Sequence, residues 1–364
     1  MSNRGRELLA ALRRDRTRWT EVEYAEAARA DDDPIDLNCV ARHRVLKALQ
    51  HDRRAEDEAL VRHLFEQEYR CRARNADGSS YDSLYLAGYL LGTFRVSDDI
   101  WLFWRVKRVN FDVGSSFDEH LMFACGVRET YAYLRASQHP SRDAVLDYLG
   151  PEAECEVDLA HCRAAWQAYF PTNEADVPLS ARLWDAIDWG DRDEALALFQ
   201  QWQAGLPKRD ARTLGQIVRT SEALGLLDVA IDAQREVVTL VRDDEWKTIG
   251  EQTTLAKLLL RAQRPEAAWH ELQLLAPTLD RYQRWKGCGL GREVVETLLD
   301  LGLALGGAHA LTPAVLAWAV ALVRRGSSAS PRMAGKGVQL AQSLADGARE
   351  AFFAALADAL ALRP

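Results

Sequence analysis

Three short stretches decide the fold: Gly190-Asp-Arg-Asp-Glu-Ala195, Gly225-Leu-Leu-Asp-Val-Ala230 and Ala262-Gln-Arg-Pro-Glu-Ala267. The second follows the first by 35 residues, and the third follows the second by 37. Each lies between runs whose apolar residues recur at i, i+3 and i+4, one face of a helix. Each therefore reads as a turn into a second helix, with a small alanine packed against the helix before it. The same rhythm runs through Leu8, Leu9 and Leu12, through Leu60, Val61, Leu64 and Phe65 with Glu68 on their stripe, and through Leu159, Cys162, Trp166 and Phe170. No stretch alternates with the period of a strand, so the chain is expected to be all-α.

In the first two units a turn glycine precedes an alanine by five positions, and in the third Ala262 stands in the glycine's place. That spacing resembles the tetratricopeptide repeat, a helix pair of about 34 residues. Phe199 and Pro207 fall where that family places an aromatic and a terminal proline in the first unit, whereas Gln234 and Glu271 depart from the aromatic position in the others. The resemblance covers Leu179 to Leu279. It implies an α-solenoid of stacked antiparallel helix pairs with a concave, protein-binding face.

The stretch Pro171-Thr-Asn-Glu-Ala-Asp-Val-Pro178 has two prolines and no periodicity, which marks a boundary. We expect a helical N-terminal domain over 1–170 and a repeat region over 179–364. Locally, Val22, Ala25 and Ala28 suggest a weak helical stripe, Asp31-Asp32-Asp33-Pro34 a turn and Asn75–Ser80 a loop. Asn110–Ser115 reads as a loop with Gly114 as its tight turn. Ser116-Phe117-Asp118-Glu119 has the S-x-x-E spelling of a capping box and predicts a helix to about Ser137. A further helix is predicted over Glu152–Phe170, carrying both Cys155 and Cys162. The apolar run Leu298–Val323 is broken at Gly306-Gly307 and reads as two buried helices, the second opening at Thr312-Pro313, and not as a membrane span.

Composition narrows the function classes. With 48% hydrophobic and 27% charged residues the chain is globular, not disordered. A net charge of −8 disfavours nucleic acid as the main ligand, because that binding rests on phosphate neutralisation. The span Leu121–Gln200 holds 14 acidic residues against 6 arginines and no lysine, so it alone accounts for −8. Such a surface is either a solvated face or a field that steers a basic partner. The six cysteines are scattered without metal spacing, and Met1–Arg18 is arginine-rich with no apolar signal core, which points to a reducing cytoplasm. No nucleotide loop, zinc spelling or nucleophile signature is present, and no cofactor is expected.

The candidate site lies in the aromatic stretch Tyr81–Leu134, which also carries Arg95, Arg105, Lys107 and Arg108. Trp101, Trp104, Arg105, Lys107, Arg108, Asn110, Asp112, Asp118 and His120 are its candidate partner- or anion-binding residues. Three readings stay open: cation–π pairs inside a core, ion pairs with nearby Asp98, Asp99, Asp112 and Asp118, or a pocket for an anionic group. The leading functional expectation is an intracellular, non-catalytic protein-interaction module meeting a basic partner, for instance an immunity-type protein that masks a basic toxin. The alternative is an enzyme or small-anion-binding protein with its site between Arg95 and His120.

Overall fold

The structure, a computed structural model, describes residues 3–28, 34–74 and 81–362. Asp31–Asp33 of the expected turn and the expected loop Asn75–Ser80 lie outside the described residues. The fold is all-α, with helices packed on their neighbours in pairs. It forms two compact units, Met1–Leu198 and Phe199–Pro364.

The first unit contains α1 (Asn3–Arg14), α2 (Cys39–His51), α3 (Glu58–Ala73), α4 (Tyr81–Gly92), α5 (Ile100–Lys107), α6 (Phe111–Ser116), α7 (Val127–Ala136), α8 (Arg142–Leu149), α9 (Leu159–Tyr169) and α10 (Leu179–Asp188). The division into units falls within α11 (Arg192–Ala204). A core of leucines from α1 to α4 meets the rings of Phe65, Phe103 and Phe117, all essentially buried.

Arg16–Val22 is a 3-10 helix capped by Asp15, and Glu26–Ala28 is strand β1, paired antiparallel with β2 (Pro34–Asp36). The stripe of Val22, Ala25 and Ala28 is therefore not helical. The expected loop at Asn110–Ser115 is helix α6, because the Asn110 side chain caps it by accepting from the Val113 N–H at 2.9 Å. Gly114 serves close approach, not turning: a Cβ there would lie 2.5 Å from the Lys107 carbonyl oxygen. The helix expected from Ser116 to Ser137 does not form as one piece. The Ser116 hydroxyl bonds back to the Asp112 carbonyl oxygen at 2.5 Å, and Asp118 caps a 3-10 turn over Glu119–Phe123 instead. Gly126, at φ 129°, then breaks the chain before α7. Likewise Asp158 caps α9 one residue before Leu159, so Cys155 stands outside the helix that holds Cys162. All six cysteines are free.

The boundary stretch 171–178 is fastened to the first unit. Gln50 Nε2 donates to the Pro171 carbonyl at 2.9 Å, and His51 Nδ1 to that of Thr172 at 2.7 Å. Beyond it, α10 lies against α2 through Lys47–Asp185 at 3.1 Å, and Arg44 reaches Asp191 at 2.8 Å. His43 sits in this contact, and its Nδ1 accepts from Trp189 Nε1 at 3.3 Å, which requires that nitrogen to be unprotonated. Burial, with Lys47 adding, pushes the imidazole down to about 3 from 6.5. Above pH 6.5 this shift has no effect. As pH falls below 6.5, the unfolded chain takes up a proton that the native state refuses, and stability is lost until the pH nears 3. From pH 7 to pH 5 the loss from His43 amounts to about 2 kcal/mol. Asp188 works in the opposite direction, since burial and Asp185 push it up to about 6. Denaturant titrations of wild type and His43→Gln at both pH values isolate the histidine: wild type is expected to lose about 2 kcal/mol more than the variant.

The second unit stacks four hairpins: α12 (Ala211–Ala223) with α13 (Leu227–Val241), α14 (Glu245–Arg261) with α15 (Pro265–Arg281), α16 (Gly289–Leu305) with α17 (Thr312–Arg324), and α18 (Pro331–Ser343) with α19 (Gly347–Ala361). Helices α14, α16 and α18 also contact one another in succession. The interhelix turns share one hydrogen-bond pattern. At Gly225, φ 72°, Leu226 N–H donates to the Ser221 carbonyl at 2.8 Å; at Gln263, φ 58°, Arg264 N–H donates to that of Leu259 at 2.9 Å. The equivalent bond at Gly190 joins Asp191 to Ala186 at 2.9 Å. This is the left-handed helix terminus that satisfies the last carbonyls. The third repeat turn is thus one residue later than expected, and Ala195, Ala230 and Ala268 are the fully buried alanines. Ion pairs Asp228–Arg264, Glu245–Arg281, Lys257–Glu293 and Asp300–Lys336 each span 36 residues, the last two joining α14 to α16 and α16 to α18. Gly306, at φ 79°, separates α16 from α17, and among the described residues no helix is long and apolar enough to cross a membrane.

Candidate functional site

The aromatic stretch is mostly core. Trp101 and Trp104 are 8% and 7% exposed. Trp101 Nε1 donates to the Tyr133 hydroxyl at 3.1 Å, and its ring stacks on His139 with centroids 3.9 Å apart. The Tyr133 hydroxyl passes its own hydrogen to Asp98 at 2.6 Å. Arg108 lies 5.3 Å over Trp104. Arg105 lies 5.1 Å over Tyr69 and reaches Glu66 at 3.5 Å, on α3. Lys107 Nζ donates to the Phe117 carbonyl at 2.8 Å. Asn110 caps α6, and Asp112 is exposed in that helix's first turn. These seven candidates are engaged in local contacts, Arg108 with Trp104 and both Trp104 and Lys107 with the Tyr148 ring.

Asp118 and His120 are placed differently. Asp118 Oδ1 accepts from the His120 backbone N–H at 2.9 Å and from His120 Nδ1 at 2.7 Å. Its other oxygen accepts from Trp166 Nε1 of α9 at 2.6 Å. This carboxylate fixes the imidazole between two concavities of opposite charge.

The first is a cleft of about 440 Å³ lined by Glu119, Tyr148, Glu156, Asp158 and His161, with no lysine or arginine in its lining. The Tyr148 hydroxyl donates to Glu119 at 2.6 Å, and burial together with that carboxylate pushes the phenol up to about 12. Its side chain is 41% exposed. Cys162 also lines this cleft; burial, then Asp118 and Asp158, push its thiol up, so it is held as a thiol and not as a nucleophilic thiolate.

The second is a cavity of about 340 Å³ in which Arg53, Arg95 and Arg163 join His51 and His120, with no carboxylate in the lining. Tyr89 and Trp166 stack at 6.1 Å on one wall, and Leu90, Leu121 and Leu159 supply apolar surface. Arg95 and His120 belong to the expected 95–120 region. Arg53 follows α2, and Arg163 and Trp166 lie on α9; no motif spacing announces the two arginines, and Trp166 is marked in the sequence only as part of an apolar stripe.

Much of the acidity of Leu121–Gln200 is internally matched. Glu174 pairs with Arg6, Asp185 with Lys47, Asp191 with Arg44 and Glu152 with Arg135. Glu154 and Glu156 are exposed, and neither makes an ion pair with a described residue. Among the described residues no group of three or more His, Cys, Asp or Glu side chains could hold a metal ion. No protein-family model matches this chain, nor does any curated protein or solved structure.

Proposed function

We propose that this chain is a non-catalytic protein-interaction module whose N-terminal unit receives a basic partner. The observation that carries this reading is the acidic cleft: Glu119, Glu156 and Asp158 edge a concavity with no lysine or arginine in its lining, a field that attracts a cationic group. Charges at such a rim govern encounter rate and salt dependence. An immunity-type role, masking a basic toxin in the cytoplasm, is one form of this reading. The stacked hairpins of the second unit, with exposed Leu240, Trp246 and Leu274, offer further contact surface of the kind the tetratricopeptide resemblance implies.

The enzyme alternative would use Arg105 and Arg108 with Asp118 and His120. Arg105 lies over Tyr69 and Arg108 over Trp104, while Asp118 accepts from both Trp166 and His120. The four groups do not share a cleft, and the geometry favours binding over acid–base chemistry.

The test is co-purification from source-cell extract with wild type and a Glu154→Arg/Glu156→Arg variant. Asp158 and Glu152 are left intact, because the first caps α9 and the second pairs with Arg135. A basic protein recovered with wild type and reduced at least about tenfold with the variant is the expected result. Equal recovery would remove the electrostatic basis of the reading.

A further inference from the structure

The basic cavity is distinct from the acidic cleft and points to a small-molecule ligand. It lies between the ends of α2 and α4 and the first turns of α9. Its volume of about 340 Å³ is within the range that encloses a metabolite.

Its charge is unusual for a chain with a net charge of −8. Arg53, Arg95 and Arg163 make no ion pair with any described carboxylate. The Arg53 guanidinium lies 5.6 Å over the Phe94 ring, and Arg163 has one contact at 3.3 Å with the Ala124 carbonyl. Three guanidiniums around one concavity repel one another, and an anion bound among them relieves that repulsion. Guanidinium groups offer paired N–H donors that match phosphate and carboxylate oxygens. The histidines are oriented as well. His51 and His120 each donate from Nδ1, to the Thr172 carbonyl and to Asp118, which leaves both Nε2 atoms unengaged by those bonds.

The rest of the lining refines the ligand. Gln50, 6% exposed, borders the cavity, and its Nε2 is committed to the Pro171 carbonyl. Its Oε1 is buried and meets no donor among the described residues. That oxygen is closed off from water, so the contact the cavity offers beyond its charges is apolar and aromatic. Tyr89 and Trp166 give the hydrocarbon part of such a ligand an aromatic wall.

Arg95 supplies the most direct handle. It sits just after α4 at φ 57°, in the left-handed region that glycine adopts freely and other residues adopt at a cost. A glycine here would suit the backbone better. The arginine side chain makes no hydrogen bond or ion pair with a described residue, and it lines the cavity.

We propose that this cavity binds a phosphate monoester of a small organic molecule, with Arg53, Arg95 and Arg163 on the phosphate and the organic part against Tyr89 and Trp166. The proposal stands independently of the acidic cleft, since Glu154 and Glu156 do not line this cavity.

The full chain is titrated by calorimetry and thermal melting with glucose 6-phosphate, glycerol 3-phosphate, inorganic phosphate and succinate, with sodium chloride at matched ionic strength as control. Saturable binding of the monoesters is expected, tighter than that of inorganic phosphate. Arg95→Gly is expected to melt at or above the wild-type temperature without ligand, yet to bind the monoester at least about tenfold more weakly, the loss of one charged contact. Arg163→Gln, an exposed position, reads the same loss if the glycine variant fails to fold. The proposal is overturned if no monoester binds above the chloride control, if succinate alone binds, or if the arginine variants bind as wild type does.

Discussion

Arg42→Met is expected to destabilise the first unit by about 3–5 kcal/mol, the cost of leaving buried charges without their counter-ion. The Arg42 side chain is completely buried, as are those of its partners Asp36 and Glu68. Its Nη2 donates to Asp36 at 2.5 Å, its Nε to Glu68 at 2.6 Å and its Nη1 to the Val22 carbonyl at 3.3 Å. Burial opposes the guanidinium charge, and Glu68 and Asp36 together more than reverse that effect, holding its pKa above the ordinary arginine range. The carboxylates are themselves pinned: Asp36 accepts from the Ala25 and Asn38 N–H groups at 3.2 and 3.1 Å, and Glu68 from the Ser83 hydroxyl at 2.6 Å. Methionine fills the space of the arginine stem but leaves two carboxylates facing each other in a dry interior. Neutralising all three together, as Asp36→Asn/Arg42→Met/Glu68→Gln, is expected to cost less than the single change, because no unpaired charge remains. Urea titration followed by tryptophan fluorescence measures both. A loss below about 1 kcal/mol for the single variant, the value of an exposed pair, would mean the network is not dry.

Trp285→Ala is expected to cost the second unit a similar amount, about 3–5 kcal/mol, through the cavity it leaves. Trp285 is fully buried between α15 and α16, and its Nε1 donates to the Leu279 carbonyl at 2.9 Å. The packing around the ring leaves no slack. A Cβ on Gly291 would come 2.7 Å from the indole, which is why this position in the first turn of α16 is a glycine, and Arg325 covers the ring at 5.5 Å. Arg325 also donates to the Leu279 carbonyl at 3.1 Å and pairs with Asp280 at 2.8 Å, so the indole braces α15 against the end of α17. Trp285→Phe keeps a ring but not the donor, and is expected to fall between wild type and alanine. If Trp285→Ala unfolded at the wild-type urea midpoint, the stack would not depend on this junction.

The helical stack was legible because its signals are short-range. A turn residue, a buried alanine five positions later and apolar recurrence within one turn all sit inside a single window. Gln263 shows the limit of that signal: without a glycine to mark the left-handed position, the turn reads one residue early. The region around Ser116 misleads for a related reason. Ser116 and Glu119 spell a capping box, but the serine hydroxyl bonds backward to Asp112 and the aspartate between them takes the cap. Glu68 on an apolar stripe was the trace of the buried ionic network, and only the fold could supply Arg42 and Asp36 as its partners. The candidate site was legible to the extent that it is local. Arg95 and His120 fell in the expected region, whereas Arg53 and Arg163 reach the same cavity from segments far apart in sequence, which no pattern in one segment records. Even the acidic span divides in three dimensions, with Asp185 and Asp191 neutralised by α2 and its neighbours and Glu154 and Glu156 left exposed.

Amide hydrogen exchange on the chain alone and with its co-purified basic partner tests the central claim most directly. The account predicts slowed exchange over Glu119–Phe123 and Tyr148–Asp158, the walls of the acidic cleft, with the hairpins from Ala211 to Ser343 little changed. Protection confined to those hairpins, with the cleft segments exchanging as in the free protein, would contradict it.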